Sequence, residues 1–145
     1  VVNFQRVNPV DTTGLDATLI DKARNKTQKL IQDSLTTAAA TLTKTIYTTP
    51  ASTVFYLTSC TFSAVFSGAS GSGPSGLRLV ISSTAYPIME QITGQTAAAG
   101  VQNFNQVFPM PLKLTAANTI EIYGHWTNGI SSTFNATCQG WEESV

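Results

Sequence analysis

Thr45-Ile46-Tyr47-Thr48-Thr49-Pro50-Ala51-Ser52-Thr53-Val54-Phe55-Tyr56-Leu57-Thr58-Ser59-Cys60 is the stretch on which the fold turns. It reads as a short strand, a Pro-Ala-Ser turn and a long strand. Pro50 fixes its own φ and has no N–H for a ladder, so it belongs in the turn. The β-branched and aromatic run that follows suits a pleated, half-buried surface. From Val54 on, one face would carry Tyr56, Thr58, Cys60, Phe62, Ala64 and Phe66, the other Phe55, Leu57, Ser59, Thr61, Ser63 and Val65. The first set is the expected core face over its second half, where the aromatics lie.

Downstream, a Gly/Ser-rich loop over Ser67–Gly76 separates this strand from Leu77–Ser82. Shorter alternating runs follow at Tyr86–Ile92 and Val101–Phe108. Pro109–Leu114 is extended and marked by prolines, as edge strands are. Thr119–Trp126 and Ile130–Trp141 flank Thr127-Asn128-Gly129, which predicts a hairpin. About eight short strands at such spacing predict a mainly β chain, an antiparallel β-sandwich or jelly roll.

Upstream the pattern changes. Residues 1–14, punctuated by Asn8-Pro9 and Gly14, read as an extended arm. From Leu15 to about Thr37, apolar or small residues recur on one side of a helix at about 100° per residue. Leu15, Leu19, Ala23, Leu30 and Ile31 share that side; Asp21, Lys22, Lys26, Lys29 and Asp33 oppose them. Thr13 or Asp16 would cap this amphipathic helix. The expected organisation is therefore an arm over 1–14, an amphipathic helix and hinge over 15–44, and a β-sandwich domain over 45–145.

Charge is distributed unevenly. The chain is neutral overall, with eight basic and eight acidic residues. Ten of the sixteen lie in the first 45 residues, leaving Arg78, Lys113, Glu90, Glu121, Glu142 and Glu143 for the remaining hundred. A neutral chain offers no electrostatic reason to expect nucleic acid as a partner. No apolar run approaches the roughly 18 residues of a membrane helix, and the opening residues do not read as a signal peptide. A β-region with so few charges is either solvated by hydroxyls and amides or covered by a partner, since charge is depleted in interface cores.

No constellation announces chemistry. The single histidine, His125, finds no aspartate in the β-region to orient it as a triad requires. Glu142 and Glu143 are adjacent, so a strand points them to opposite faces, and a solvated tail is their expected setting. Metal ligation fails on ligand count and spacing, and no cofactor is expected. Trp126, Trp141, Tyr123 and Tyr86 suit core or subunit packing, with sugar stacking as the alternative. Cys60 and Cys138 each share a face with phenylalanines and are expected in one core, buried and reduced, with a disulfide as the second reading.

Three segments carry a resemblance. Ile46-Tyr47-Thr48-Thr49-Pro50-Ala51 with Leu57-Thr58-Ser59, then Phe108-Pro109-Met110-Pro111-Leu112, then Gly140-Trp141-Glu142-Glu143 resemble, in that order, segments of small β-sandwich structural proteins of tailed bacteriophages. The resemblance covers roughly residues 45–145. The two cysteines and the long Gly/Ser loop depart from it. It implies a virion structural protein, a homotrimeric decoration (cement) protein that attaches to the major capsid protein or another virion protein and stabilises the head. The alternative it implies is a fibre or tail-tip module that binds a host glycan. Candidate capsid or trimer contacts are Phe4, Arg6, Leu15, Leu19, Ala23 and Leu30.

Overall fold

The structure, a computed structural model, describes residues 26–37, 41–68, 73–93, 100–125 and 131–145. Eight strands follow in order: β1 (Lys26–Thr37), β2 (Thr41–Thr48), β3 (Thr53–Phe66), β4 (Gly73–Ile81), β5 (Thr84–Thr93), β6 (Gly100–Leu114), β7 (Thr119–His125) and β8 (Ser132–Ser144). They form two four-stranded antiparallel sheets. The front sheet has the order β1-β8-β3-β6 and the back sheet β2-β7-β4-β5. Among the described strands only β4 and β5 are joined as a hairpin, and other consecutive strands lie in different sheets. Two interleaved four-stranded sheets of this order make a jelly roll.

The core follows from alternation along β3, and a bulge decides its phase. Phe55 and Leu57 point inward at the start of the strand, and Cys60, Phe62, Ala64 and Phe66 point inward after it. The step of three from Leu57 to Cys60 is possible because Thr58 is an extra residue: Leu57 pairs with Gly140 and Ser59 with Gln139, its immediate neighbour. Such a bulge moves the following side chains to the other face. Phe62 packs between Phe104 and Phe134 with ring centroids 6.3 and 5.7 Å away. The back sheet contributes Leu77, Leu79, Met89, Ile120 and Ile122. The Pro50 turn is pinned by the β6–β7 loop: Thr49 N–H donates to the Asn118 carbonyl at 2.9 Å, and Ala117 N–H to the Thr49 carbonyl at 3.0 Å.

Two expectations are corrected. The amphipathic helix over 15–37 is not formed where the chain is described: Lys26–Thr37 is strand β1, paired along its whole length with β8. Residues 1–25, with the arm and the first part of that helix, lie outside the described residues, and Thr41–Thr48 of the expected hinge-to-strand region is β2. The confusion has a physical source. Ile31 and Leu35 are four apart, a spacing that satisfies both the helical and the two-residue period. What separates the readings is Asp33, which a helix would turn away from Ile31. In β1 it shares the inward side with both, because Lys44 of β2 meets it at 2.6 Å.

The second correction concerns Asn128-Gly129. β7 and β8 do not pair with each other; β7 lies between β2 and β4, and β8 between β1 and β3. The connection therefore crosses between sheets, and residues 126–130 lie outside the described residues. Among the described residues the hairpin turn is Ser82-Ser83, both at positive φ (49° and 67°), closed by the pair Ile81 and Thr84. The Pro-marked segment at 109–114 does lie on an edge strand, β6.

Candidate interaction surface

Register turns the front sheet's solvent side into a regular grid. Across β1, β8, β3 and β6 the outward rows are Leu30–Gln139–Ser59–Val107, Gln32–Thr137–Thr61–Asn105, Ser34–Asn135–Ser63–Asn103 and Thr36–Thr133–Val65–Val101. None of these sixteen positions is charged. Where hydroxyls and amides are neighbours they bond along the rows. Thr36 and Thr133 share a hydrogen bond of 2.8 Å, Asn135 Nδ2 donates to Ser63 Oγ at 3.2 Å, and Thr61 Oγ1 to Asn105 Oδ1 at 3.3 Å. Leu30 stands in this face with 56% of its surface exposed, and Val101 and Val107 mark its far margin.

Charge resumes at one end of the same sheet, where Lys26, Trp141, Tyr56 and Glu143 meet. Tyr56 and Trp141 stack with centroids 5.2 Å apart and planes 17° from parallel. Lys26 Nζ sits 5.2 Å from the centre of the Trp141 ring and 3.3 Å from Glu143. Burial opposes ionisation of Glu143, but hydrogen bonds from Trp141 and Lys26 outweigh it and hold its carboxyl below the usual range. Glu142 faces the other way. It accepts from Tyr47 Oη at 2.6 Å and pairs with Lys29 at 3.3 Å. The two carboxylates do point to opposite faces, but both belong to β8, and neither forms a solvated tail. Burial, then the Glu142 carboxylate, push the Tyr47 phenol well up.

The back sheet's solvent side is wired differently. Arg78 lays Nη2 2.9 Å and Nε 3.0 Å from Glu121 Oε2, and covers the Tyr123 ring at 5.4 Å. Tyr123 donates to Glu90, and Thr45 and Arg78 complete the ladder through Glu121 and Thr43. Arg78, Glu121 and Glu90 are each engaged by a neighbour within the sheet, an arrangement that stabilises strand pairing.

Cys60 and Cys138 are cross-strand partners on β3 and β8, both buried, with Sγ atoms 3.1 Å apart and no disulfide between them. Contact with the Cys138 thiol, then burial, push the Cys60 thiol far up, so Cys60 is not a nucleophile at neutral pH. Among the described residues no group of three or more His, Cys, Asp or Glu could hold a metal ion, and no helix is long and apolar enough to cross a membrane. Two shallow surface depressions lie along β1 and β8. One is lined by Gln28, Lys29, Leu30 and Gln139, the other by residues about Asp33 and Asn135.

Of the residues singled out from sequence, Phe4, Arg6, Leu15, Leu19 and Ala23 lie outside the described residues, and Leu30 stands on the uncharged face. His125 ends β7, and Trp126 is outside the described residues. The sequence shows a β-region poor in charge but not that one face collects the deficit. The signal was Thr133, Asn135, Thr137 and Gln139 at every second position of β8, legible as a face only once its neighbours are known.

No family model matches the chain, and no curated protein matches it. Among solved structures it is similar to part of dimeric latent PorU from Porphyromonas gingivalis, at 12% identity and a TM-score of 0.51. That match covers 83% of this chain and 13% of that one, so the chain spans about an eighth of PorU's length. Weaker likenesses, too low to carry an argument, are to the cyanophage Pam1 capsid (12% identity, 80% and 86% covered, TM-score 0.43) and to the extra small virus of Macrobrachium rosenbergii (13%, 80% and 77%, TM-score 0.33). At this identity the PorU likeness is one of β fold and of nothing finer.

Proposed function

We propose that this chain is a structural subunit of a virus particle, a decoration protein of a tailed-bacteriophage head that acts by binding rather than catalysis. Jelly rolls serve capsid proteins, lectins and cupins alike, so the fold alone does not choose among them. The observation that carries the reading is the sixteen-position uncharged face of the front sheet with Leu30 exposed in it. A face without charge is desolvated at little electrostatic penalty, and its hydroxyls and amides can trade water for a partner's backbone. In this reading the chain works as a homotrimer on the capsid surface. Phe4, Arg6, Leu15, Leu19 and Ala23 add contacts to the major capsid protein or a neighbouring copy. The test is co-sedimentation of the purified protein with undecorated heads. Wild type is expected in the pellet, and Leu30→Arg, which sets a charge into the face, is expected to lose at least tenfold in binding, roughly 1.4 kcal/mol. Equal binding of the two proteins, or none by the wild type, overturns the reading.

A second reading rests on the stacked Tyr56–Trp141 pair, an aromatic platform of the kind a sugar ring uses. It makes the chain a fibre or tail-tip module for a host glycan. Lys26 already occupies the indole face, which favours the first reading. Glycan-array binding that is lost in Trp141→Ala would reverse that order.

A further inference from the structure

β6 closes the front sheet on one side, and among the described residues no strand pairs with its outer edge. Edge strands expose a row of backbone donors and acceptors, and proteins usually guard them with charge, proline, a bulge or a covering element. The other edges follow that practice. β1 and β2 are latched to each other through Lys44 and Asp33, and β2 is tied to β8 through Tyr47 and Glu142. β5 carries Pro87 and an irregularity opposite Leu77 and Arg78. β6 is guarded over its second half only, by Pro109 and Pro111 and by the four residues Phe108–Pro111 set opposite Thr58. Among the described residues Gly100–Val107 has none of these devices; it pairs regularly with β3 and contains no charge.

The unguarded half has a second property. Val101-Gln102-Asn103-Phe104-Asn105-Gln106-Val107 reads the same in both directions. An antiparallel pair of two such strands, related by a two-fold axis at Phe104, sets Val101 against Val107 of the other copy, Gln102 against Gln106 and Asn103 against Asn105. Opposed residues in an antiparallel pair share a face. The outward Val101, Asn103, Asn105 and Val107 would thus meet outward partners of the same kind, and Phe104 would meet itself on the core side. Valine on valine and amide on amide are favourable cross-strand pairs, and nothing in the register repels.

We infer that β6 is a self-pairing edge: its segment Val101–Val107 joins antiparallel to the same segment of a second copy of this chain, making one continuous eight-stranded front sheet. A two-fold, isologous contact of this kind needs only one self-complementary patch. It also carries the uncharged face of one copy into that of the next. The inference stands on β6 alone and does not depend on the chain being a virion protein.

The test is the mass of the full chain by sedimentation velocity over a range of concentrations. Wild type is expected to associate in steps of two. Asn103→Lys/Asn105→Lys opposes lysine to lysine twice across the contact and is expected to raise the dissociation constant about tenfold or more. Asn103→Glu/Asn105→Glu does the same with carboxylates, and mixing the two variants is expected to restore association. If a three-fold assembly also forms, wild type reads as six copies and each charged variant alone as three, so the two contacts are told apart. A wild type whose mass equals that of the lysine variant at every concentration overturns the inference, as does a mixture that does not re-associate. Should the charged variants fail to fold, Asn103→Cys/Asn105→Cys carries the test. Oxidation by diamide is expected to give a covalent dimer, and a chain that stays monomeric in denaturing gels overturns the inference equally.

Discussion

Gly140 shows how a single missing Cβ sets the geometry of the front sheet. A Cβ there would lie 2.1 Å from the Tyr56 carbonyl oxygen and 2.8 Å from the Phe55 ring. β8 approaches β3 this closely just before the Thr58 bulge, where the core phase changes. Gly140→Ala should therefore destabilise the fold by overpacking, by about 1–3 kcal/mol, read as a lower urea midpoint at unchanged slope. An unchanged midpoint would mean that β3 can move away from β8 without loss, contrary to the rigid contact proposed for this point. Cys60 and Cys138 were legible at this scale. Each shares an alternating face with phenylalanines in the sequence, and the antiparallel pairing of β3 with β8 brings them into the same core.

Among the elements, turns and edges carried local signals of unequal value. Asn128-Gly129 looks like a hairpin in sequence, yet its flanking strands join different sheets, because the inward Phe134, Ala136 and Cys138 of β8 match the inward Phe62, Ala64 and Cys60 of β3. Ser82-Ser83 gives no such signal and makes the real hairpin, with two non-glycine residues at positive φ. A left-handed conformation disfavours such residues by about 1 kcal/mol each, and Asn-Gly suits both positions better. Ser82→Asn/Ser83→Gly is thus expected to raise stability by about 1 kcal/mol, seen as a higher melting temperature with the same far-ultraviolet spectrum. A lower melting temperature would show that the serine hydroxyls are needed at the turn. Pro109 and Pro111 were the reliable edge signal, since a missing N–H excludes them from a central strand wherever the strand lies.

At the scale of the whole molecule the two sheets are joined along one side by a polar latch, Lys44 to Asp33 and Tyr47 to Glu142. Hydrogen bonds from Lys44 and the Ser34 N–H hold the Asp33 carboxyl below its ordinary value of 3.8. A carboxylate depressed in the folded state contributes stability above its unfolded pKa and loses it as pH falls through the folded one. Stability should then fall as pH drops below about 4, and Asp33→Asn should remove part of that slope. The difference is expected to be under about 1 kcal/mol because both partners are partly exposed. Urea midpoints at pH 7 and pH 3 for the two proteins check it, and parallel changes would place the acid sensitivity elsewhere. The sequence by itself determined the β-rich class, the Pro50 turn, the core face of the second half of β3, the edge character of Pro109–Leu114 and the poverty of charge. Those follow from local propensity and the two-residue period, which need no partner strand. Tertiary structure alone decided that Lys26–Thr37 is a strand, that β7 and β8 part company, and that sixteen uncharged residues form one face. Each of these is a matter of which strand lies beside which, fixed by long-range burial and pairing, and a residue's neighbours in the chain do not record it.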